Sequence, residues 1–525
     1  SYSSSAPSRT QLGAPRTGAM VWDEVEAAAN KLRDDPVRNA NCCTTLVRAI
    51  EDHAGDRGEW SGEAGREAAF AVKSLQRHFE SPATSVSGLA GREDQVKAFA
   101  DWRRAQIKAF RSAMRGLCAS RACPAEFRRE LLAAIIESLR LEPTKRFPVE
   151  HLSFVLEELC IRDALSDSFL RTLYTDYFGY ADIVYHTLKL LARICATLEE
   201  DGRPAREQER TVLNVFDILK LLCKVVAERL SADEEEPPLW CTGEGENVGG
   251  DPASRPKSAG TKPLRHAFTE AWLAFARLQL PPEPLKHLLV LLPDSVLPHM
   301  TTPLLLSDSL TAAVDQPGMV GMLALRGLFV LVVKHGLEYP NFYRKLYNMI
   351  TPQAFLSKYR RRFFRLVDTF LSSPLIPAYV VAAFIKKFAR LSLELPPHSI
   401  LVCLAFCFNL IRRHPPCHVL LKDQGREAGE GQVEGGREAF HSRADPYDFE
   451  ANDPAEARAL ESFLWELQSL RVHYYHEVGK MVQHFKRDMT QVNKYMEVDL
   501  EDYLGSSYEE ICEKEGGKRL KYCAI

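Results

Sequence analysis

Apolar residues recur along most of this chain at intervals of three and four, the spacing of a helix that buries one face and leaves the other in water. From Gln95 onward Phe99, Trp102, Ile107 and Phe110 fall near one face, then Phe127, Leu131, Ala134, Ile135 and Leu139, then Leu152, Val155, Leu156 and Leu159. Two longer periodic stretches follow, Tyr180–Thr197 and Ala205–Leu230. The pattern lapses from Ser231 to Pro263, returns at Leu264, runs to Leu421, lapses again over Lys422–Ala444 and resumes from about Asp453 to Tyr503. No alternating run of β-branched residues suggests a central sheet. The nearest, Phe329–Val333, sits inside a longer helical pattern.

These elements predict an all-α fold, an αα-solenoid of HEAT/armadillo-like helical repeats with a disordered N-terminus and linkers, although no strict internal period is visible. Residues 1–91 read as mostly disordered, with short helices at Val21–Leu32 and Ala68–Phe79. Residues 92–230 form a first helical block, 231–263 an acidic Gly/Pro linker, and 264–421 a second helical block. Residues 422–444 form a Gly/Glu-rich linker, and 445–525 a C-terminal helical segment and tail. Thr302-Pro303, Thr351-Pro352, Ser373-Pro374 and Asp453-Pro454 each place an N-cap residue before a proline suited to the first helical position. Glu456 adds a capping-box arrangement to Asp453.

Composition narrows the class. The 525 residues are 46% hydrophobic and 26% charged, the balance of a globular chain, which excludes a collagen-like or wholly disordered protein. The longest apolar run, Met319–Val333, is short of the roughly 20 residues of a membrane span and carries Arg326 at its middle. Thirteen scattered cysteines with no CxxC pair point to a reducing compartment. No phosphate loop, HExxH helix, GxSxG elbow or EF-hand loop occurs, and the Gly clusters Gly243–Gly250 and Gly429–Gly436 lie in linkers; no enzymatic activity, cofactor or small-molecule substrate is expected. Cys403, Cys407, His414, Cys417 and His418 resemble a metal set, but the first two lie one turn apart in an apolar helix, where cysteine serves as a small core residue, so no metal is expected.

The formal charge of −3 excludes a uniformly basic nucleic-acid binder, yet it hides a strong local excess. Residues 341–390 hold ten basic side chains against one acid, Asp368. On a helix beginning near Pro352, Lys358, Arg361, Arg362 and Arg365 form one ridge while Phe355, Tyr359, Phe363, Leu366 and Phe370 turn inward as core. Lys386, Lys387 and Arg390 form a second ridge on the next helix. With Arg344 and Lys345 these are the candidate contacts for RNA or an acidic partner. Residues 445–467 reverse the sign, with seven acids against Arg458, and either cover the basic surface internally or dock a partner. Trp465 falls off the inner face of that segment and is either buried by another element or a partner anchor; with Glu461 and Glu466 it forms the candidate protein contact.

Three stretches, Lys334-His-Gly-Leu-Glu-Tyr-Pro-Asn-Phe-Tyr-Arg-Lys-Leu-Tyr347, Arg362-Phe-Phe-Arg-Leu-Val-Asp-Thr-Phe-Leu-Ser-Ser373 and Tyr379-Val-Val-Ala-Ala-Phe-Ile-Lys-Lys-Phe-Ala-Arg390, resemble the CCAAT-binding-factor family of nucleolar complex proteins. Asp445-Pro-Tyr447, Asp453-Pro454, Leu464-Trp-Glu-Leu467 and His473-Tyr474 extend the likeness, which covers about Leu304 to Glu477 and, faintly, Thr172–Arg193. Glu477 departs from it, standing where the family tends to have Pro. The resemblance implies a non-enzymatic, helical-repeat ribosome-biogenesis factor of the nucleus and nucleolus. It would act in the small-subunit precursor particle, the small-subunit processome, supporting ribosomal RNA processing and 40S maturation and export. Its implied partners are nucleolar protein fourteen and other processome proteins, with pre-ribosomal RNA nearby. The alternative reading is a helical-repeat nuclear transport adaptor.

Overall fold

The computed structural model describes residues 22–36, 38–55, 62–81, 93–120, 123–141, 147–161, 165, 167–200, 205–231, 238–241, 260–316, 318–421, 445–486, 496–505, 509–510 and 513. All regular structure among them is helical. The expected linker at 422–444 and most of that at 231–263 lie outside the described residues. The chain divides into two units, one of residues 1–284 with 298–302, the other of 285–297 with 303–525.

The first unit begins earlier than its sequence suggests. Trp22–Asp34, Cys42–Gly55 and Gly62–Glu80 are all helices and pack on one another, where only two short helices in a mostly disordered region were expected. The reason is the size of their buried residues. Ala28, Ala29, Ala49, Ala68 and Ala71 carry much of the inner face beside Val25, Leu46, Ile50 and Leu75, so the helices approach closely without the large aliphatic stripe that marks a helix in sequence. The predicted Tyr180–Thr197 and Ala205–Leu230 helices occur as Ala181–Glu200 and Ala205–Ser231.

The described part of the 231–263 linker is anchored. Buried Asp182 accepts hydrogen bonds from the backbone N–H of Trp240 at 2.8 Å and of Cys241 at 3.0 Å, while the Trp240 indole donates to the Ile136 carbonyl at 3.1 Å. The Arg140 guanidinium covers the indole ring at 3.2 Å from its centroid. Beyond this hook, the Thr261–Arg277 helix buries Leu264, Phe268, Trp272 and Phe275 against the Ala181–Glu200 helix, with Phe275 also stacked on Phe216 at 5.8 Å. It therefore belongs to the first unit.

In the second unit the Met319–His335 helix is closed at its C-terminus by Gly336 at φ 67, a left-handed position that suits glycine. Its small residues are also packing devices: a Cβ on Gly321 would lie 2.6 Å from the Gln316 carbonyl oxygen. No helix among the described residues is long and apolar enough to cross a membrane. The Ala378–Leu391 and Pro397–Arg413 helices form the centre, and nearly every residue of each is buried. Phe388 stacks on Phe406 at 4.8 Å across their interface, and Phe364 joins them.

Three local expectations change here. The helix from Pro352 stops at Leu356 and a new one runs Arg360–Leu371, because the Ser357 hydroxyl accepts from the Tyr359 N–H at 3.2 Å and turns the chain between them. Ser373-Pro374 does not start a helix; the next begins after Pro377, at Ala378. The segment from Asp453 is not one long helix. Asp445, Asp448 and Asp453 each bond the N–H two residues on, of Tyr447, Glu450 and Ala455, and these turns draw the backbone away from helical geometry. Among the described residues a 3-10 turn follows at Ala459–Glu461, and α-helix returns in short pieces at Glu466–Leu470, His476–His484 and Glu501–Leu504.

Candidate interaction surface

The basic stretch 341–390 divides in two. On the Arg360–Leu371 helix Phe363 and Phe370 are buried, together with Phe364, Val367 and Leu371, while Tyr359 and Leu366, expected on the inner face, are half-buried; Arg361, Arg362 and Arg365 point to solvent. Lys358 is also exposed but lies in the turn before the helix, so the four cations form a patch spanning a turn and a helix. Glu501 caps part of it, pairing with Arg361 at 2.7 Å and with Arg365. Those guanidinium groups, Arg365 first, hold the Glu501 carboxyl down to about 2. Lys358, Arg362 and Arg344 are exposed and have no ion pair among the described residues, while Lys345 pairs with Asp315.

The peptide carrying Glu501 is fixed beside the ridge. The Asn409 side-chain amide donates to the Val498 carbonyl at 2.8 Å and accepts from the Val498 N–H at 2.9 Å, copying a backbone pair. Arg413 bridges Glu497 at 2.6 Å and Asp368 at 2.7 Å.

Lys386, Lys387 and Arg390 do not form the outward ridge expected of them. The Ala378–Leu391 helix is enclosed on nearly all sides, and Lys386 has 0% of its surface exposed. Its ammonium has three acceptors: Glu466 at 2.7 Å, the Phe463 carbonyl at 2.9 Å and Asp445 at 3.1 Å. Arg390 bonds Glu466 at 2.8 Å through Nε and reaches Asp445 through Nη2. Two cations thus face two carboxylates in the interior, the condition under which buried charge is tolerated. Burial alone would raise the Asp445 carboxyl, but hydrogen bonds from Ser462 and Trp465 and the charge of Lys386 outweigh it and hold the group well below the carboxylate range.

The acidic segment therefore covers basic residues internally. Trp465 is half-buried, donates to Asp445 at 2.8 Å and lies under the Arg390 guanidinium at 4.6 Å. Glu466 is fully buried, and exposed Glu461 pairs with Arg458, so the three candidate partner residues have separate roles. Lys387 is buried over the Tyr347 ring at 3.8 Å, and desolvation brings its ammonium down to about 8. Tyr347 in turn shares a hydrogen bond of 2.8 Å with Tyr447. Sequence reasoning missed this tyrosine pair, whose members stand 100 residues apart.

The cysteine set is interior. Cys403 and Cys407 are fully buried and desolvation raises both thiols; Cys407 lies 3.4 Å from the Ile385 carbonyl, and His414 shares a 2.9 Å hydrogen bond with the Leu371 carbonyl. Among the described residues no three His, Cys, Asp or Glu side chains are grouped to hold a metal. Outside the cluster, Val472 and Tyr474 stand 86% and 78% exposed, with His473 against the Tyr474 ring at 4.2 Å.

The second unit is thus a helical body locked by a buried ion cluster, with an exposed basic patch on the Arg360–Leu371 helix and the turn before it. Residues 321–482, which include Lys386, Arg390, Asp445 and Glu466, match the model of the CBF/Mak21 family. The chain is 39% identical to the mouse nucleolar complex protein 4 homolog over 67% of its own length and 63% of that protein's. It is 35% identical to homolog B of Xenopus laevis, covering 74% of this chain and 68% of that one. With the Arabidopsis thaliana protein named nucleolar complex associated 4 it shares 30% identity over 84% and 82%. The chain belongs to the nucleolar complex protein 4 family, and its location is the nucleolus.

Proposed function

We propose that the chain is a non-enzymatic ribosome-biogenesis factor, a helical-repeat scaffold within the small-subunit precursor particle. On this reading it works in stable complex with nucleolar protein fourteen, among other processome proteins and beside pre-ribosomal RNA, and supports small-subunit RNA processing and 40S maturation and export. Membership of the nucleolar complex protein 4 family is the observation that carries the proposal.

The geometry supports a mechanism of mutual stabilisation without bond-making. The buried cluster fixes the acidic segment on the Ala378–Leu391 helix, so the second unit offers a preformed surface whose ordering cost is met on folding rather than on association. Lys358 and Arg362, outside the grip of Glu501, are the residues of the patch best placed for a phosphate or an acidic side chain.

Affinity purification of the full chain from nuclear extract, with and without RNase, tests the reading. Nucleolar protein fourteen and small-subunit precursor components should be recovered, the protein partner surviving RNase. Recovery of a nucleotide-loaded small GTPase in their place would support a transport adaptor and defeat the proposal. Lys358→Glu with Arg362→Glu should leave the fold intact and reduce co-sedimentation with precursor particles; unchanged sedimentation would remove the patch from the mechanism.

A further inference from the structure

The Glu93–Ala119 helix carries a second basic surface, in the first unit and outside the residues of the family match. Between Trp102 and Ala119 it has five basic residues, Arg103, Arg104, Lys108, Arg111 and Arg115, and no acid. Four of them follow i, i+4, i+7, i+11 and fall on one stripe. Ile107, Phe110, Met114 and Leu117 fill the buried side. The stripe borders a cleft of about 460 Å³ whose far wall is Glu150 and His151, at the start of the Val149–Ile161 helix.

We propose that this cleft binds the phosphodiester backbone of RNA through Arg104, Lys108 and Arg115, with buried Arg111 adding its charge from behind them and the His151 ring as an additional hydrogen-bond donor. Four cations face Glu150 in the lining and Asp101 beside Arg104, so the cleft keeps a net positive charge. The arginines are preorganised. Arg111 is buried and donates through Nε to the Ser138 hydroxyl at 3.2 Å and through Nη2 to the Ser138 carbonyl. Arg115 lies on the Phe154 ring at 4.7 Å, which holds the guanidinium flat and leaves its edge for an acceptor. Arg104 is steadied by Asp101 at 2.6 Å, and Lys108 is exposed.

His151 reports the field of the cleft. Burial, then Arg111 and Arg115, bring its pKa down to about 4, so the ring is neutral at physiological pH. Its buried Nδ1 has no hydrogen-bond partner among the described residues. A neutral imidazole keeps one N–H to donate, and the His151 ring lines the cleft.

Length favours a polymer over a lone anion. From Arg104 to Arg115 the stripe rises about 16 Å, at about 1.5 Å per residue, longer than a single phosphate. Among the described residues the exposed large apolar side chains of this unit, Trp22, Tyr174 and Leu213, lie outside the stripe, which there offers none of the apolar anchors that a membrane or a peptide groove would use. The inference stands apart from the particle assignment, since it concerns the purified chain and RNA alone.

The test is titration of a fluorescent 20-nucleotide single-stranded RNA with the full chain across a salt series, comparing wild type with Arg104→Gln/Lys108→Gln. Both positions are exposed, and circular dichroism checks that helicity is kept. Removing two phosphate contacts should weaken binding about tenfold near 0.1 M salt and reduce the slope of log K against log salt by about 1.4. Ultraviolet crosslinking should yield RNA-bound peptides from 104–115. An unchanged slope and affinity, or crosslinks confined to the second unit, would overturn the proposal. So would tighter binding of a phosphoserine peptide than of RNA with the same sensitivity to the double substitution.

Discussion

The Arg360–Leu371 and Ala378–Leu391 helices lie side by side in sequence, both rich in aromatic and basic residues, and they use their cations in opposite ways. The first buries one stripe and keeps Arg361, Arg362 and Arg365 in water. The second is surrounded, so Lys386 and Lys387 enter the interior with its apolar residues, and Lys386 must find its carboxylates there. The difference shows that a basic run does not by itself report a surface. What decides is how much of the helix circumference other elements cover, and here the acidic segment supplies both the cover and the countercharge.

The sharpest way to break this comparison is to remove one member of the buried cluster. Lys386→Met leaves Asp445 and Glu466 close together with Arg390 alone between them, and should cost about 3–5 kcal/mol in the denaturant transition of the second unit. Arg362→Met, one helix earlier but exposed, should change stability by less than about 0.5 kcal/mol. Adding Glu466→Leu to Lys386→Met should restore much of the loss, because it is the unpaired interior charge that destabilises. Equal losses for Lys386→Met and Arg362→Met would show that the two helices are not different in the way described.

Lys387 gives a smaller, pH-dependent effect. Its folded pKa of about 8 lies below the ordinary lysine value of 10.5, so between those pH values the unfolded chain binds more protons than the folded one, and stability rises with pH. Relative to Lys387→Met, wild type should therefore gain about 1–3 kcal/mol from pH 8 to pH 10.5, and nothing further from this group above it. Paired denaturation curves at pH 7.5, 9 and 10.5 measure this, since titrations common to both proteins cancel. A difference independent of pH would place the Lys387 ammonium in water.

The same comparison explains what could be read from the residues. Long periodic helices such as Ala181–Glu200 and Ala205–Ser231 were legible to within a few positions because local periodicity is enough to define an amphipathic face. The fate of Lys386 was not, since its carboxylates stand 59 and 80 residues away and nothing local distinguishes it from Arg361. Thr351-Pro352 and Ser373-Pro374 look alike, yet only the first begins a helix, because the chain after Pro374 stays in a turn until Pro377. Of the three N-terminal helices, Trp22–Asp34 and part of Gly62–Glu80 were legible, whereas Cys42–Gly55 was not, its buried face lacking a long stripe of large apolar residues. The stripe from Arg104 to Arg115 carries fewer than half as many basic residues as the stretch 341–390, and its facing wall at Glu150 and His151 lies on another helix that local spacing does not reveal.

The smallest effect concerns the exposed ridge. Glu501→Gln removes the carboxylate shared by Arg361 and Arg365 without disturbing the buried cluster, and the Asn409 pair with Val498 still holds the peptide in place. An exposed pair of this kind contributes little to folding, so the thermal transition should stay put. The visible change should be electrostatic: the patch gains one net positive charge, and the protein should elute from immobilised heparin at higher salt. Acid should do the same to wild type. Because the Glu501 carboxyl is held down to about 2 against 4.5 in an unperturbed glutamate, its pairing is complete above pH 4.5 and is lost as the pH falls towards 2. If heparin elution of Glu501→Gln matched wild type at pH 7, Glu501 would not be masking the ridge, and Arg361 and Arg365 would be as open to an acidic ligand as Arg362.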